Sequence, residues 1–175
     1  MIKELIHYYR RLNGNADSLR KLGATIGNNF NNYGTVDGNH AYLFSCGDNC
    51  TIANEAMILC HDASTLNRLS YSKVGTVQFG DNVFVGARAI VMPNVTIGSN
   101  VIIGAGSVVT KSIESNSVVC GNPARKVDSY NNYIDRMRKK MNESNVFEID
   151  WKHKSKKQKK CEYDLLKNGN IGFDK

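Results

Sequence analysis

The sequence predicts an all-β solenoid with three short strands to each coil and a short helix at either end. Three observations carry that reading. Read in sixes from Phe79, residues 79–108 keep a single frame: Phe79-Gly80-Asp81-Asn82-Val83-Phe84, Val85-Gly86-Ala87-Arg88-Ala89-Ile90, Val91-Met92-Pro93-Asn94-Val95-Thr96, Ile97-Gly98-Ser99-Asn100-Val101-Ile102 and Ile103-Gly104-Ala105-Gly106-Ser107-Val108. An aliphatic or aromatic residue opens every hexad, and Gly follows it in four of the five. A fixed short repeat is neither a helical period nor a simple alternation; it marks units that bury their apolar faces only against their neighbours. With three strands to a coil, inward columns recur every 18 residues, Phe79 over Ile97, Val85 over Ile103 and Val91 over Val109. The glycines are expected to supply positive φ at the corners, which a β-branched residue cannot do.

Taken in order, the chain begins with Ile2, Leu5, Ile6, Tyr9 and Leu12 at helical spacing, so residues 2–12 read as an amphipathic helix that Asn13-Gly14-Asn15 stops. It is expected to cap the open end of the solenoid, within a cap region of residues 1–24. The repeat starts at Ile26-Gly27-Asn28-Asn29-Phe30 and resumes with Cys46-Gly47-Asp48-Asn49-Cys50-Thr51 and Ile52-Ala53-Asn54-Glu55-Ala56-Met57. The offsets of 20 from Ile26 to Cys46 and of 21 from Ile58 to Phe79 read as one coil plus a few bulging residues. Residues 61–76, rich in hydroxyls and carrying Arg68 and Lys73, read as a loop that lies over a polar substrate as a lid. The solenoid spans residues 25–127. Residues 128–175 hold a helix with Tyr130, Ile134, Met137 and Met141 on one face, then the run 152–160, Lys-His-Lys-Ser-Lys-Lys-Gln-Lys-Lys, which reads as a solvated, partly disordered tail.

At 175 residues the chain needs one domain with small appendages. A net charge of +7 with 41% hydrophobic residues describes a basic protein, compatible with nucleic acid, a membrane surface or a polyanionic cofactor, and charge alone does not choose among them. Nucleic acid is not expected, because no stacking aromatics interleave with the lysines beyond Trp151. Membrane contact is left open without being predicted. Five cysteines, an odd number without metal-ligand spacing, read as unpaired thiols in a reduced compartment, and no apolar run suggests a leader or a span. The expectation is a cytoplasmic protein.

The six-residue code resembles that of the hexapeptide-repeat acetyltransferases, and is most similar to those acting on sugars and bacterial surface polysaccharides. The resemblance covers roughly residues 25–127 and implies a left-handed parallel β-helix assembled as a homotrimer, with sites between subunits. It implies acetyl-CoA as cosubstrate and no metal. It also implies a catalytic His61, which ends a strand run and opens the 61–76 loop. A neutral imidazole at that place can take the proton of an acceptor hydroxyl as it attacks a thioester. Backbone N–H groups at the corners, with Asn32 or Asn82, are candidates to hold the oxyanion, and Asn82 is expected to stack near His61 because it has the same place in its hexad. Asp62 and Ser64 are further candidates for orienting substrate, and Glu55, Asp37 and Asp62 all compete to orient the imidazole. Two blocks, Ile103-Gly104-Ala105-Gly106-Ser107-Val108-Val109-Thr110-Lys111 and Cys120-Gly121-Asn122-Pro123-Ala124-Arg125-Lys126-Val127, resemble the segments that hold acetyl-CoA in the family. Small Ala87, Ala105 and Gly106 would admit pantetheine against backbone amides, while Thr110, Lys111, Arg125 and Lys126 offer donors to its phosphates. Competing readings are an N-acetyltransferase of an amino sugar, a non-catalytic β-helix scaffold, and a carbonic-anhydrase-type lyase needing three imidazoles on a metal.

Overall fold

The computed structural model describes residues 15–175, and the chain divides after Tyr130 into two compact units. The helix expected at residues 2–12 lies outside the described residues.

In the first unit, the strands stack in three parallel sheets, one for each flat side of the coil. The first sheet orders β1 (Thr25–Ile26), β4 (Phe44–Cys46), β9 (Val77–Phe79) and β12 (Val95–Ile97). The second orders β2 (Asn31–Asn32), β5 (Thr51–Ile52), β10 (Val83–Val85), β13 (Val101–Ile103) and β15 (Ser117–Cys120), and ends on the antiparallel β16 (Arg125–Asp128). The third orders β3 (Thr35–Val36), β6 (Met57–Ile58), β11 (Ile90–Val91) and β14 (Val108–Val109). Phe79 pairs with Ile97, Val85 with Ile103 and Val91 with Val109, as the hexad frame requires. Their side chains fill the interior, with Ile26, Cys46, Ile52, Ile58 and Val36 continuing the same columns. Phe44 and Phe79 meet edge to face, ring centroids 5.3 Å apart, a favoured geometry for buried aromatics.

A short helix, α1 (Ala16–Lys21), closes the start of the solenoid. Asn15 caps it by accepting from the Ser18 N–H at 2.9 Å, and Leu19 enters the core. Arg20 donates to the carbonyls of Ile26 and Gly27, at 2.9 and 3.0 Å, so the first coil does not leave these acceptors bare.

Positive φ falls on different residues from those expected. The glycines after the hexad openers do not adopt it. Asn29, Asn49, Asn82, Asn100 and Asn116 do at one corner, and Glu55, Arg88 and Gly106 at the next. Asn tolerates that region better than most residues, and here each side chain can also bond along the stack. Asn29 Nδ2 donates to Asn49 Oδ1 at 2.9 Å, and Asn82 Nδ2 to Asn100 Oδ1 at 3.0 Å. Gly86 is required for a different reason: a Cβ there would lie 2.5 Å from the Ala105 nitrogen of the next coil.

The interruptions also differ from expectation. Ile58 pairs with Val91, and the same spacing of 33 residues separates Asp48 from Asp81, whereas regular coils repeat at 18. The second coil therefore carries fifteen extra residues rather than a few, all after the third strand. The first coil is also long at that same corner, between Val36 and Phe44, while its preceding corner is tightened around Gly34, where a Cβ would meet the Ala56 oxygen at 2.4 Å. Two insertions thus stack on one corner of the solenoid.

The second unit contains most of α2 (Tyr130–Asn142), then β17 (Asn145–Phe147), α3 (Lys156–Leu166) and β18 (Gly172–Asp174), with β17 and β18 paired in parallel. Of the basic run expected to be a solvated, partly disordered tail, residues 156–160 are helical, and all of it but Lys154 is exposed. Ser155 and Gln158 form a capping box at the start of α3, and the Lys154 ammonium is buried between Glu162 and Asp174, each at 2.5 Å. Reciprocal capping and two carboxylates offset the cost of ordering this lysine-rich segment.

Candidate active site

The stacked insertions bring three side chains together. Val36 and Ile58 are inward, paired residues at the ends of β3 and β6, so the residues just after them leave the third sheet at the same height. Asp37 follows Val36, and His61 follows the buried Cys60. His61 and Asp62 form β7, which pairs antiparallel with β8 (Lys73–Val74), so the longer insertion leaves and returns as a hairpin stem.

Asp37 is the anchor of this cluster. Its side chain is 4% exposed, and one oxygen accepts from the Asn39 and His40 N–H groups at 3.2 and 3.3 Å. The other accepts from the Cys60 N–H at 3.2 Å and from His61 Nδ1. Burial alone would raise the carboxyl's pKa. The His61 hydrogen bond and charge, with the backbone N–H donors, outweigh it and hold Asp37 below the ordinary carboxylate value. Nearby, burial and then the Asp37 charge push the Cys60 thiol up to about 12, so it stays a neutral wall. A carboxylate accepting at Nδ1 fixes the tautomer with the proton on that nitrogen, leaving Nε2 of the partly exposed His61 with its lone pair.

His40 completes the cluster. Its Nδ1 lies 3.6 Å from the same Asp37 oxygen, beyond hydrogen-bond range, and is buried without a partner. Its ring packs against that of His61 with centroids 4.7 Å apart. Asp37, His40 and His61 are the one group of metal-ligand type among the described residues. It supplies two imidazoles rather than three, and both oxygens of its carboxylate are already engaged by N–H donors.

Of the three acids that competed to orient the imidazole, Asp37 makes the contact. Glu55 pairs with Arg88 at 2.6 Å. Asp62 pairs with Lys73 at 2.6 Å and accepts from the Ser64 N–H at 2.8 Å; these partners, Lys73 first, bring its pKa down to about 2. Asp62 and Ser64 therefore fasten the hairpin at its base. Asn32 lies in β2, where its side-chain oxygen accepts from the Gly34 N–H at 3.0 Å. Asn82 does not stack near His61. It lies at the corner between the first and second sheets, in the asparagine ladder, because the fifteen extra residues displace it from the frame in which the two positions looked equivalent. Sequence reading named His40 only as the second imidazole within the solenoid for the lyase alternative and gave it no place beside His61; its spacing from Asp37 carries no repeat signal.

The second predicted group sits toward the far end of the solenoid. Ala87 and Ala105 occupy the same corner of successive coils, where the Gly106 N–H donates to the Ala87 carbonyl at 2.8 Å. The two glycine- and lysine-bearing blocks are joined directly: the Val108 N–H donates to the Gly121 carbonyl at 3.0 Å and the Ala124 N–H to that of Val108 at 2.8 Å. Between them is a cleft of about 440 Å³ whose lining includes Val109, Lys111, Ser117, Ala124, Arg125 and Lys126. Thr110 is exposed beside it. Lys111 of the first block and Ala124, Arg125 and Lys126 of the second thus share one concavity, whose lining does not include Ala87, Ala105 or Gly106.

Comparison with known proteins places this arrangement in a family. Residues 76–111 match the family model described as bacterial transferase hexapeptide (six repeats). The chain is 37% identical over 140 residues to Protein CapG of Staphylococcus aureus, covering 75% of this chain and 81% of that protein. It is 30% identical over 102 residues to a chloramphenicol acetyltransferase of Klebsiella aerogenes, of which it spans 45%. Among solved structures it resembles a galactoside acetyltransferase in complex with coenzyme A, with a TM-score of 0.55 and 30% identity over 65% of this chain and 58% of that one. On this evidence of repeat, fold and relatives, the chain belongs to the bacterial hexapeptide-repeat transferases and has their left-handed parallel β-helix.

Proposed function

We propose that the protein transfers the acetyl group of acetyl-CoA to a hydroxyl of a sugar or glycan intermediate, with His61 as general base. The observation that carries this reading is the Asp37–His61 pair, which leaves an imidazole lone pair facing away from a buried carboxylate. His61 Nε2 takes the proton of the acceptor hydroxyl as its oxygen forms a bond to the thioester carbonyl carbon. The tetrahedral oxyanion is held by N–H donors, for which the backbone amides of the coil corners and Asn32 are the candidates that remain once Asn82 is engaged in the asparagine ladder. Collapse breaks the carbon–sulfur bond, and the imidazolium returns the proton to the departing thiolate. Ala87, Ala105 and Gly106 give pantetheine a path along the corner, and Lys111, Arg125 and Lys126, with Thr110, receive its phosphates. The galactoside acetyltransferase, as its name says, uses a galactoside, and its complex contains coenzyme A; both support the substrates proposed here.

A homotrimer is the assembly we propose. Its support lies in the outward residues of the sheets. Those of the first are polar, Thr25, Ser45, Gln78 and Thr96, whereas the second carries Phe84 and Ile102 and the third Met57, Ile90 and Val108. Two apolar flanks and one polar flank suit a closed ring in which each solenoid meets two others. No helix among the described residues is long and apolar enough to cross a membrane. We place the reaction in the cytoplasm, where acetyl-CoA is made; the five unpaired thiols are compatible with that.

Titration calorimetry with acetyl-CoA, followed by thiol release with a panel of sugars and amino sugars, tests the proposal. Saturable binding that weakens about tenfold in Arg125→Ala, Lys126→Ala, as expected for lost charge-assisted phosphate contacts, supports the cofactor site. Transfer to amino sugars with none to their hydroxyl-only counterparts would turn the assignment to N-acetylation. Absence of acetyl-CoA binding in folded protein would overturn it in favour of a scaffold.

A further inference from the structure

Beyond the base, His40 neighbours two further rings: its centroid is 4.7 Å from that of His61 and 6.0 Å from that of Tyr42, both tilted. Tyr42 is 59% exposed, yet its stem is fixed. It sits in the 3-10 turn Ala41–Leu43, where Ala41 and the following Phe44 are core residues, and its Cβ crowds Gly23 so closely that a side chain there would meet it at 2.8 Å. A large aromatic side chain held in the open on a turn anchored at both ends loses little freedom when something docks on it. An aromatic face with a polar edge suits a pyranose, whose axial C–H groups make an apolar face and whose hydroxyls lie around the rim.

Resting on the reading of His61 as the base for sugar acetylation, we propose that His40 and Tyr42 form the acceptor platform, and that the acceptor is a glycoside or oligosaccharide of at least two rings. One sugar ring lies by His40, offering its hydroxyl to His61, and the next stacks on Tyr42. On this proposal Tyr42 serves the second ring, and a free monosaccharide reaches the base without touching it.

The test compares wild type with Tyr42→Ala and Tyr42→Phe, using maltose, lactose and chitobiose beside glucose, galactose and N-acetylglucosamine. Tyr42→Ala is expected to raise the KM for disaccharides about tenfold at nearly constant kcat, with Tyr42→Phe restoring it, as for the loss and return of one stacking contact. The affinity for acetyl-CoA and the melting temperature should match wild type, which separates a platform from a folding defect. A disaccharide KM unchanged in Tyr42→Ala, or raised equally for monosaccharides, overturns the platform while leaving the base assignment intact. If wild type acetylates no carbohydrate, the proposed function fails instead. Saturation-transfer NMR of the same disaccharides on wild type and Tyr42→Ala then judges the platform directly: binding lost in the variant keeps it, and equal or absent binding removes it.

Discussion

The coils from Val77 onward and the two coils before them share one three-strand plan, but they differ most at one corner. In the later coils residues stand over their equivalents 18 positions on, shortening to 16 in the last coil where Ile103 meets Val119, and side chains at the corners bond to their own kind, as Asn82 does to Asn100. In the earlier coils the corner after the third sheet is lengthened twice, and those insertions carry Asp37, His40, Tyr42 and His61. Regular stacking satisfies every group with its neighbour and leaves little to act on a substrate. Where the period breaks, polar side chains meet that the repeat would have kept apart.

Substitutions on the two sides of this divide should separate chemistry from stability. His61→Ala is expected to lower kcat by about 10³-fold, within the usual range for a general base, with acetyl-CoA affinity retained in calorimetry. Unchanged thiol release would end its role as base. Asp37→Asn should lower kcat by about 10²-fold, since the imidazole loses its anionic partner and fixed tautomer. The same variant has a pH signature. Because the folded Asp37 pKa is depressed, its contribution is complete above the unfolded value of 3.8 and disappears as pH falls through the lower folded value. Acid unfolding of Asp37→Asn should therefore be shallower over that interval; an identical acid limb would mean the carboxylate contributes nothing to stability.

In the regular coils the balance reverses. Ile103→Ala, at a fully buried position, should cost about 2–4 kcal/mol in denaturant unfolding. Its kcat per folded molecule should stay near wild type, and a large fall would show that the site is coupled to the core of the later coils. The smallest effect is expected at Asn82→Ala, which loses one ladder bond and a residue suited to positive φ, for about 1 kcal/mol. Loss of turnover there, with stability kept, would return Asn82 to the oxyanion role that its place in the ladder argues against.

Legibility followed the same divide. Inward columns of Val and Ile could be read to the residue from Phe79 to Val109, because each strand's neighbour there lies 18 residues away along the chain; the last coil, where Ile97 meets Ile113 and Ile103 meets Val119, is two residues shorter. His61 was legible as the residue where the pattern stops, and the two cofactor-like blocks by their resemblance to segments of the family. Asn82 was misread because its equivalence to His61 assumed a frame that the longer insertion had already shifted. The glycine corners were misread because two requirements, positive φ and absence of a Cβ, can be met by different residues; here Asn29, Asn49, Asn82, Asn100 and Asn116 meet the first and Gly86 the second.

By itself the sequence determined the three-strand coil and, between Phe79 and Val109, its register and its apolar interior, since a repeat of fixed length makes every contact a neighbour contact. Tertiary structure alone decided that Asp37 rather than Glu55 or Asp62 holds His61, that the His40 ring neighbours those of His61 and Tyr42, and that Lys154 is buried between Glu162 and Asp174. Those pairings join residues across insertions or separate elements, where no period relates the partners and only the folded backbone brings them within reach.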